Sequence, residues 1–253
     1  MPVRDATQRF SSRVENYIRY RPAYPPQILE LLKSECGLTS SSVIADIGSG
    51  TGILTRMLLE NGNPALGVEP NPDMRAAAEN ALAHYPGFTS VDGTAEATSL
   101  QDRSVDFVTA AQAAHWFDRA HARREFVRIL KPGGWSVLLW NERQTDTTPF
   151  LREYERLLLE YGTDYQEIRH ERMTAEIADF FAPSSFRTAV FENAQDFDYA
   201  GAEGRLLSSS YTPQPADDNY ESMISELQHI FHSHQQNGRV RFEYLTRLYY
   251  GQL

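Results

Sequence analysis

An acid followed by three glycines on alternate positions forms the group of residues in this chain that is best suited to hold a small ligand. Asp46 lies in an apolar run, and Gly48, Gly50 and Gly52 follow it. Glycine has no Cβ, so it allows a tight turn and a close approach of a ligand to the main chain. Helix-forming residues begin near Ile53, and the first turn of a helix presents free backbone N–H groups. The pattern predicts a strand, a ligand-binding turn and a helix.

A second acid stands at the end of the next predicted strand, where the sequence reads Gly67-Val68-Glu69. A carboxylate at this place can accept hydrogen bonds from both hydroxyls of a ribose. A dinucleotide is disfavoured, because its fingerprint needs Gly or Ala where this chain has Ile53. Asp46 would also repel a pyrophosphate, whereas it suits a ligand with an ammonium or sulfonium charge. An ordinary glycine-rich turn is the alternative.

The acid followed by Gly-x-Gly-x-Gly resembles the first motif of the class I S-adenosylmethionine-dependent methyltransferases. The sequence Gln112-Ala-Ala-His115-Trp116 resembles a methyltransferase type 11-like subgroup that includes the trans-aconitate methyltransferase-like proteins. The N-terminal stretch that runs from Tyr17 to Pro25 is similar to the same subgroup. The resemblance covers roughly residues 10–142 and implies S-adenosylmethionine as the cofactor.

Ligands of open α/β sheets bind beyond the carboxyl ends of the strands, so each strand end predicts cofactor contacts. In related methyltransferases the third strand end often reads Gly-Asp-Ala-Glu, and the Asp contacts the adenine amino group. Thr94 stands in place of that Asp and would make a weaker contact, while the backbone contact of Ala95 remains; a plain turn is the alternative. The residues predicted to bind the cofactor are Asp46, Gly48, Ser49, Gly50, Gly52, Glu69, Pro70, Thr94, Ala95, Glu96, Ala111 and Gln112.

His115 is the candidate catalytic residue, since it follows a strand end and can be neutral near pH 7. It could take the proton of a hydroxyl or amine acceptor, whereas a carboxylate acceptor needs no base and His115 would only shape the pocket. A hydrogen-bonded structural histidine is the alternative. The residues predicted to border the substrate or the cofactor carboxylate are Tyr17, Arg21, Tyr24, Trp116, Trp140 and Asn141; a surface position for Arg21 is equally reasonable.

Charge and composition narrow the possible partners. The chain has 253 residues, a formal net charge of −10 and one cysteine, Cys36. A large nucleic-acid footprint is disfavoured because such footprints are basic, and four arginines between 119 and 128 are interpreted as a solvated helix face. The single cysteine and the lack of a long apolar run predict a cytoplasmic protein without a membrane span. The spacing of His229, His232 and His234 does not favour a metal site, and none is predicted.

Strands and helices alternate between residues 43 and 142, which predicts an open parallel sheet with helices on both faces. The resemblance implies a Rossmann-like, seven-stranded, mostly parallel α/β sheet that ends in an antiparallel pair, filled by 186–199 and 239–250. One domain is predicted, with an N-terminal helical cap (1–35), a cofactor-binding core (43–142) and a substrate lid with the closing strands (143–253). Other predicted strands are 43–47, 65–69, 88–91, 105–110 and 135–140, with a turn at 131–134; predicted helices include 5–20, 27–35, 53–60, 119–130, 148–161 and 166–181.

The predicted activity is methyl transfer from S-adenosylmethionine to a small-molecule acceptor, with a carboxylate as one candidate. An RNA methyltransferase and a cofactor-binding protein without turnover are the alternatives. A nicotinamide-dependent oxidoreductase is disfavoured by Ile53. The sequence does not indicate the oligomeric state.

Overall fold

The computed structural model describes residues 13–163, 165 and 173–253. Its strands form a single seven-stranded sheet in the order β3-β2-β1-β4-β5-β7-β6. Strands β1 to β5 pair in parallel, and β7 is antiparallel to both β5 and β6. The predicted fold is therefore confirmed. The strands are β1 (Ile44–Ile47), β2 (Ala65–Val68), β3 (Phe88–Val91), β4 (Val105–Ala111), β5 (Leu130–Arg143), β6 (Phe186–Phe197) and β7 (Val240–Gly251).

Helices surround this sheet and include two in the N-terminal part of the chain. They are α1 (Val14–Tyr20), α2 (Gln27–Cys36), α3 (Ile53–Glu60), α4 (Pro72–Leu82), α5 (Arg119–Ile129), α6 (Pro149–Tyr161), α7 (Met173–Phe181), α8 (Tyr199–Leu207) and α9 (Tyr220–His234). A 3₁₀ turn, Ala114–Trp116, follows β4. No helix in the described ranges combines the length and apolar character needed to cross a membrane.

Three apolar clusters hold the elements together. The first packs α5 and α7 on one face of the sheet, through side chains such as Phe126 and Phe181. The second packs α2, α3 and α4 on the other face, and Leu58 and Leu82 belong to it. The third joins α6, α8 and α9 to the ends of β6 and β7, with Phe242 fully buried in it. This third cluster is called the outer helical layer below.

The N-terminal segment crosses the carboxyl ends of the strands and is fixed there by side-chain amides. Prolines at 22 and 25 keep it extended after α1. Asn141 Nδ2 donates to the Pro22 and Ala23 carbonyls at 3.4 and 3.3 Å, and Asn193 Nδ2 donates to the Ala23 carbonyl at 2.8 Å. Side chains of β5 and β6 therefore position this segment over the strand ends.

The predicted turn at 131–134 is wrong, because these residues belong to β5. Gly133 has φ +79°, and the register shifts between the pairs Val105–Leu130 and Phe107–Trp135. The glycine is thus part of an irregularity within a strand, and the chain does not reverse there. Predicted helix residues 5–12 and 166–172 lie outside the described ranges.

Candidate active site

The three glycines form the turn that the sequence predicts between β1 and α3. Gly48, Gly50 and Gly52 have φ values of +68°, +56° and +83°, in the left-handed region that favours glycine. The turn is tied to the next strand, because the Gly48 and Ser49 N–H groups both donate to the Val68 carbonyl, at 2.8 and 3.1 Å. This backbone path places the start of α3 beside the end of β2.

Asp46 lies below this turn and is only 1% exposed. Thr55 Oγ1 on α3 donates to its Oδ2 at 2.6 Å, and Thr109 Oγ1 on β4 donates to its Oδ1 at 2.9 Å. Burial raises the pKa of Asp46 to about 6, against the lowering effect of both hydroxyl bonds. The carboxylate thus connects three elements at the base of the site, and its charge is costly when no cation lies near.

Glu69, at the end of β2, stands beside the glycine turn. Its Oε2 accepts from the Gly50 N–H at 2.8 Å, and its Oε1 accepts from the Asn71 N–H at 2.9 Å. Burial raises the pKa of Glu69 in spite of these two bonds. Each carboxylate oxygen has a second lone pair, so Glu69 keeps acceptor capacity for the hydroxyls of a ribose.

The space over the turn fits the cofactor that the resemblance implies. A Cβ built on Gly50 would meet no atom within 4 Å, whereas one on Gly48 would lie 2.6 Å from the Ala113 Cβ. No side chain caps α3, while Asn71 caps α4 by accepting from two backbone N–H groups. The Gly50 main chain and the first turn of α3 therefore face open space beside the Glu69 carboxylate. This is the arrangement that an adenosyl ligand requires.

The third and fourth strand ends supply the remaining predicted contacts. Thr94 is exposed and its N–H donates to the Ala97 carbonyl at 3.1 Å, while Ala95 is buried. Glu96 Oε1 accepts from the Asp118 N–H at 2.8 Å, which joins this loop to the segment after β4. Gln112 has φ +57°, and its Nε2 donates to the Asn141 carbonyl at 3.0 Å. The structure places Ala111 and Pro70, both half-buried, at the ends of β4 and β2.

His115 and Trp116 follow β4 in the 3₁₀ turn, and both are half-buried with ring centroids 4.9 Å apart. Trp140 is 1% exposed and packs edge-on against Tyr249 in the first cluster. A small open pocket is lined by side chains that include His115, Phe117, Arg119, Leu138, Trp140, Ile177 and Phe180. His115 is thus brought together with Trp140 at the edge of the first cluster.

The N-terminal residues that were predicted to border the site, Tyr17, Arg21 and Tyr24, lie in the segment that crosses the strand ends. The Arg21 guanidinium lies 5.0 Å from the centroid of the Tyr17 ring. Burial, then the neighbouring Tyr17 and the Asp46 carboxylate, raise the pKa of Tyr24 well above its ordinary value. Asn141 is buried and used in hydrogen bonds to the N-terminal segment, to Asn193 and to Thr246. Tyr24 therefore lies close to the carboxylate below the glycine turn, and Tyr17 and Arg21 lie close to Tyr24.

Beside Arg21 lies a group of buried polar residues that the sequence does not predict. Arg205 on α8 is 5% exposed; its Nε donates to the Tyr244 hydroxyl at 3.1 Å, and its Nη1 donates to Ser209 Oγ at 3.2 Å. Arg21 Nη2 donates to the Ser208 carbonyl at 2.8 Å. The helix that carries Arg205 was not predicted; an Asp198 N-cap, which accepts from the Gly201 N–H at 2.9 Å, was the available signal.

Comparisons with known proteins agree with this geometry. Residues 45–138 match the sequence model of a family described as a methyltransferase domain. Over 171 residues the chain is 38% identical to an uncharacterized methyltransferase of Mycobacterium tuberculosis. That match covers 68% of this chain and 65% of the relative, so the chain spans less than two thirds of the relative's length.

Solved structures share the fold. A candidate type II methyltransferase from Anaeromyxobacter dehalogenans has a TM-score of 0.68 at 20% identity and covers 92% of this chain and 98% of its own. A methyltransferase dependent on S-adenosylmethionine from Geobacter sulfurreducens, in complex with S-adenosyl-L-homocysteine, has a TM-score of 0.53 at 16% identity. It covers 97% of this chain and 98% of its own. The trans-aconitate methyltransferase-like subgroup stays a prediction. Residues 45–138 thus resemble a methyltransferase domain, and the fold is the one that solved methyltransferases dependent on S-adenosylmethionine have.

Proposed function

We propose that this protein transfers the methyl group of S-adenosylmethionine to a small-molecule acceptor, bound between the N-terminal segment and the outer helical layer. The observation that carries the proposal is the open main chain at Gly50 beside the Glu69 carboxylate. S-adenosylmethionine supplies a methyl group that is activated by its bond to a positively charged sulfur. When that bond breaks, the sulfur keeps the electron pair and becomes a neutral thioether. In the proposal the lid and the N-terminal cap exclude water and align the acceptor for in-line attack.

The predicted cofactor-binding residues have distinct tasks in this proposal. Glu69 accepts from the ribose hydroxyls, and the backbone from Ser49 to Gly52 lies against the ligand. The main chain of Ala95 makes a hydrogen bond to the edge of the adenine, and the hydroxyl of Thr94 makes a second contact there. Asp46 provides a negative charge below the sulfonium and also holds α3 and β4 in place.

His115 has a conditional task. With a hydroxyl or amine acceptor, the imidazole takes the acceptor proton as the new bond to the methyl carbon forms. With a carboxylate acceptor there is no proton to remove, and His115 with Trp116 shapes the pocket. In both cases its place after β4, beside Gln112, keeps it at the end of the sheet where ligands of this fold bind.

The nucleic-acid alternative has less support. The formal net charge is −10, and the arginines of α5 are partly used within the fold. Arg128 pairs with Glu125 and Asp102 at 2.6 Å, and Arg123 Nε donates to the Phe180 carbonyl at 2.9 Å. A phosphate backbone would meet few free cations on this helix.

The cofactor assignment is tested by Gly50→Ala with Gly37→Ala as its matched control. Both glycines have positive φ, and a Cβ on either would meet no atom within 4 Å, so each variant should lose about 1 kcal/mol of stability from backbone strain. Only Gly50→Ala places a methyl group in the proposed ligand space. Calorimetric titration with S-adenosylhomocysteine should show an affinity at least about 10-fold weaker in Gly50→Ala and unchanged in Gly37→Ala. Wild-type affinity in Gly50→Ala would contradict the assignment.

A further inference from the structure

Two guanidinium groups, that of the buried Arg205 and that of the half-buried Arg21, meet at the end of α8 beside the N-terminal segment. Arg205 donates to Tyr244 and Ser209, and its Nη1 lies 3.5 Å from Ser208 Oγ. Arg21 reaches the carbonyl of the same Ser208. Burial and the neighbouring Arg205 charge lower the pKa of Arg21 from its ordinary value, which agrees with two cations in proximity. Arginine nevertheless remains charged at neutral pH.

Neither of these arginines has a carboxylate partner among the described residues. Arg143 provides the contrast, because it lies in the same layer and pairs with Glu155, while Tyr165 bonds to both. A buried charge without a counter-charge is costly, and such groups are ordinarily paired. The positive charge of Arg21 and Arg205 is therefore left uncompensated inside a chain whose net charge is −10.

Unused donors accompany the uncompensated charge. Arg21 Nε is buried without a hydrogen-bond partner, and Arg205 Nη2 donates to no described group. A guanidinium has five N–H donors in a planar fork that matches a carboxylate. Leaving such donors unmet costs free energy, so their presence indicates that a ligand normally accepts from them.

The surroundings suit a small organic anion adjacent to the cofactor. The Tyr17 ring lies against Arg21, and the Tyr244 ring centroid is 5.9 Å from the Arg205 guanidinium carbon. These rings provide apolar walls with hydroxyl groups at their ends. Tyr24, next in the same segment, lies within electrostatic reach of Asp46, Tyr17 and Arg21. Tyr24 therefore lies between Arg21 and the Asp46 carboxylate below the glycine turn.

We propose that Arg21 and Arg205 form an anion subsite that binds a carboxylate of the methyl acceptor. The proposal rests on the proposed function and makes it more specific: the acceptor is a small organic acid anchored by Arg205. The methyl group of the cofactor, in this arrangement, meets an acceptor already fixed at its charged end. Arg205 acts here as a substrate-binding residue.

The experiment uses the full chain saturated with S-adenosylhomocysteine, so that the cofactor's own carboxylate is already in place. Acetate, succinate and citrate are titrated as probes, with succinamide as the neutral counterpart and sodium chloride at matched ionic strength. Wild-type protein should gain melting temperature saturably with at least one carboxylate and not with succinamide. Arg205→Gln should weaken that binding about 10- to 100-fold, the range expected for a lost charge-assisted pair.

Arg187→Gln is the matched control, because Arg187 is an exposed β6 residue that pairs with Glu35 away from the site; it should leave the binding unchanged. Arg205→Lys keeps the positive charge but loses the planar arrangement of guanidinium N–H donors. Its affinity for the carboxylate should lie between those of the wild type and Arg205→Gln. If Arg205→Gln does not fold, Arg205→Lys decides, and wild-type affinity in it would overturn the proposal. Absence of any carboxylate effect in the wild type would do the same.

The cofactor titration separates this inference from the proposed function. Failure of S-adenosylhomocysteine to bind would reject the proposed function, whereas carboxylate binding to the cofactor-free protein would still report the anion subsite. If Arg205→Gln lost S-adenosylhomocysteine affinity and carboxylates did not bind the saturated wild type, the guanidinium would belong to the cofactor. That result would overturn the proposal while leaving the methyltransferase assignment intact.

Discussion

At the scale of single residues, Asp46 combines a local sequence signal with a long-range structural role. Its position two residues before Gly48 predicts a carboxylate near a cationic ligand. Its hydrogen bonds to Thr55 and Thr109 come from residues 9 and 63 positions away. The same side chain therefore helps to assemble the site and is destabilised by its own burial until a positive charge arrives.

This balance predicts a pH-dependent effect of Asp46→Asn on the protein without cofactor. Burial raises the pKa of Asp46 in the folded protein from its ordinary value of 3.8 to about 6, so the folded state holds the proton more tightly than the unfolded state does. The free energy of unfolding therefore falls as pH rises through this window. Asparagine lacks that penalty, and the threonine hydroxyls can bond to its amide. The variant should gain about 1 kcal/mol relative to wild type between about pH 5 and about pH 7.

Urea unfolding at both pH values measures this difference, and cofactor affinity of the variant should fall. A gain that stays constant with pH would show that Asp46 titrates normally in the folded protein. Thr109→Val, which removes one hydrogen bond to the carboxylate and keeps the shape, is a useful companion variant. Thr109→Val should raise the pKa of Asp46 further. The stability lost when Asp46 ionises should then be larger in this variant than in the wild type.

Residue types and short spacings predict the cofactor side of the candidate site, but they do not predict the proposed anion subsite. The glycine turn and Glu69 are read from sequence because each lies within a few residues of its strand end. Arg205 and Tyr244 were not selected, since they meet Arg21 only after about 180 to 220 residues of chain are folded. Arginine and tyrosine at those places have no local pattern that distinguishes them from surface or core residues.

At the scale of elements, α1 and α8 are joined by an unusually close contact. Tyr20 packs directly over Gly204, and any Cβ at Gly204 would overlap the Tyr20 ring. The same ring lies edge-on to Phe197 at the end of β6. A glycine in mid-helix lowers helix propensity, which explains why residues 199–207 were not predicted as a helix. Here the glycine permits the N-terminal helix to approach the outer helical layer.

A double-mutant cycle on this pair tests that reading. Gly204→Ala should cost about 1 to 3 kcal/mol in the wild-type background, because the added methyl group displaces Tyr20. In a Tyr20→Ala background the same change should be neutral or stabilising, since alanine is the better helix former. Urea unfolding gives the free energies, and hydrogen exchange over residues 14–20 reports the release of α1. Equal costs in both backgrounds would rule out the contact as the cause.

Strand β5 is a second element whose bounds the sequence did not predict correctly. Lysine, proline and two glycines in succession are typical of a turn, yet these residues lie within the range of β5 as an unpaired irregularity. The pairs on either side, Leu130 with Val105 and Trp135 with Phe107, keep the strand beside β4. The strands β1 to β4 were predicted within one residue of their ends, because buried apolar runs mark them clearly.

At the scale of the whole molecule, the distribution of charge bears on the kind of ligand that the chain can bind. A formal net charge of −10 opposes approach to a phosphate backbone, while a cluster of arginines lies inside. In the proposed anion subsite this internal positive charge binds the carboxylate of a small acid. The negative electrostatic field around the protein repels large anionic polymers such as nucleic acids. It opposes a small ligand much less, because that ligand carries few charges.

Thermal melting separates these ligand classes. S-adenosylhomocysteine at about 100 times its Kd should stabilise the fold by about 2.7 kcal/mol, which corresponds to about 5 to 10 °C in Tm for a chain of this size. Mixed tRNA at about 0.15 M salt should cause no shift and no methyl incorporation. Salt-dependent tRNA binding with incorporation of methyl groups would favour the RNA methyltransferase alternative.

Residues 198–239 leave the sheet after Phe197 and return at Val240, and these two residues are direct register partners. The segment that carries α8, α9 and Arg205 therefore begins and ends at one pair of neighbouring residues in the sheet. Replacing it with another segment of different length would leave the strand pairing and the glycine turn unaltered. Under the proposed function, the part of the chain that chooses the acceptor is therefore a transplantable module, and exchange of this one segment would give a new specificity.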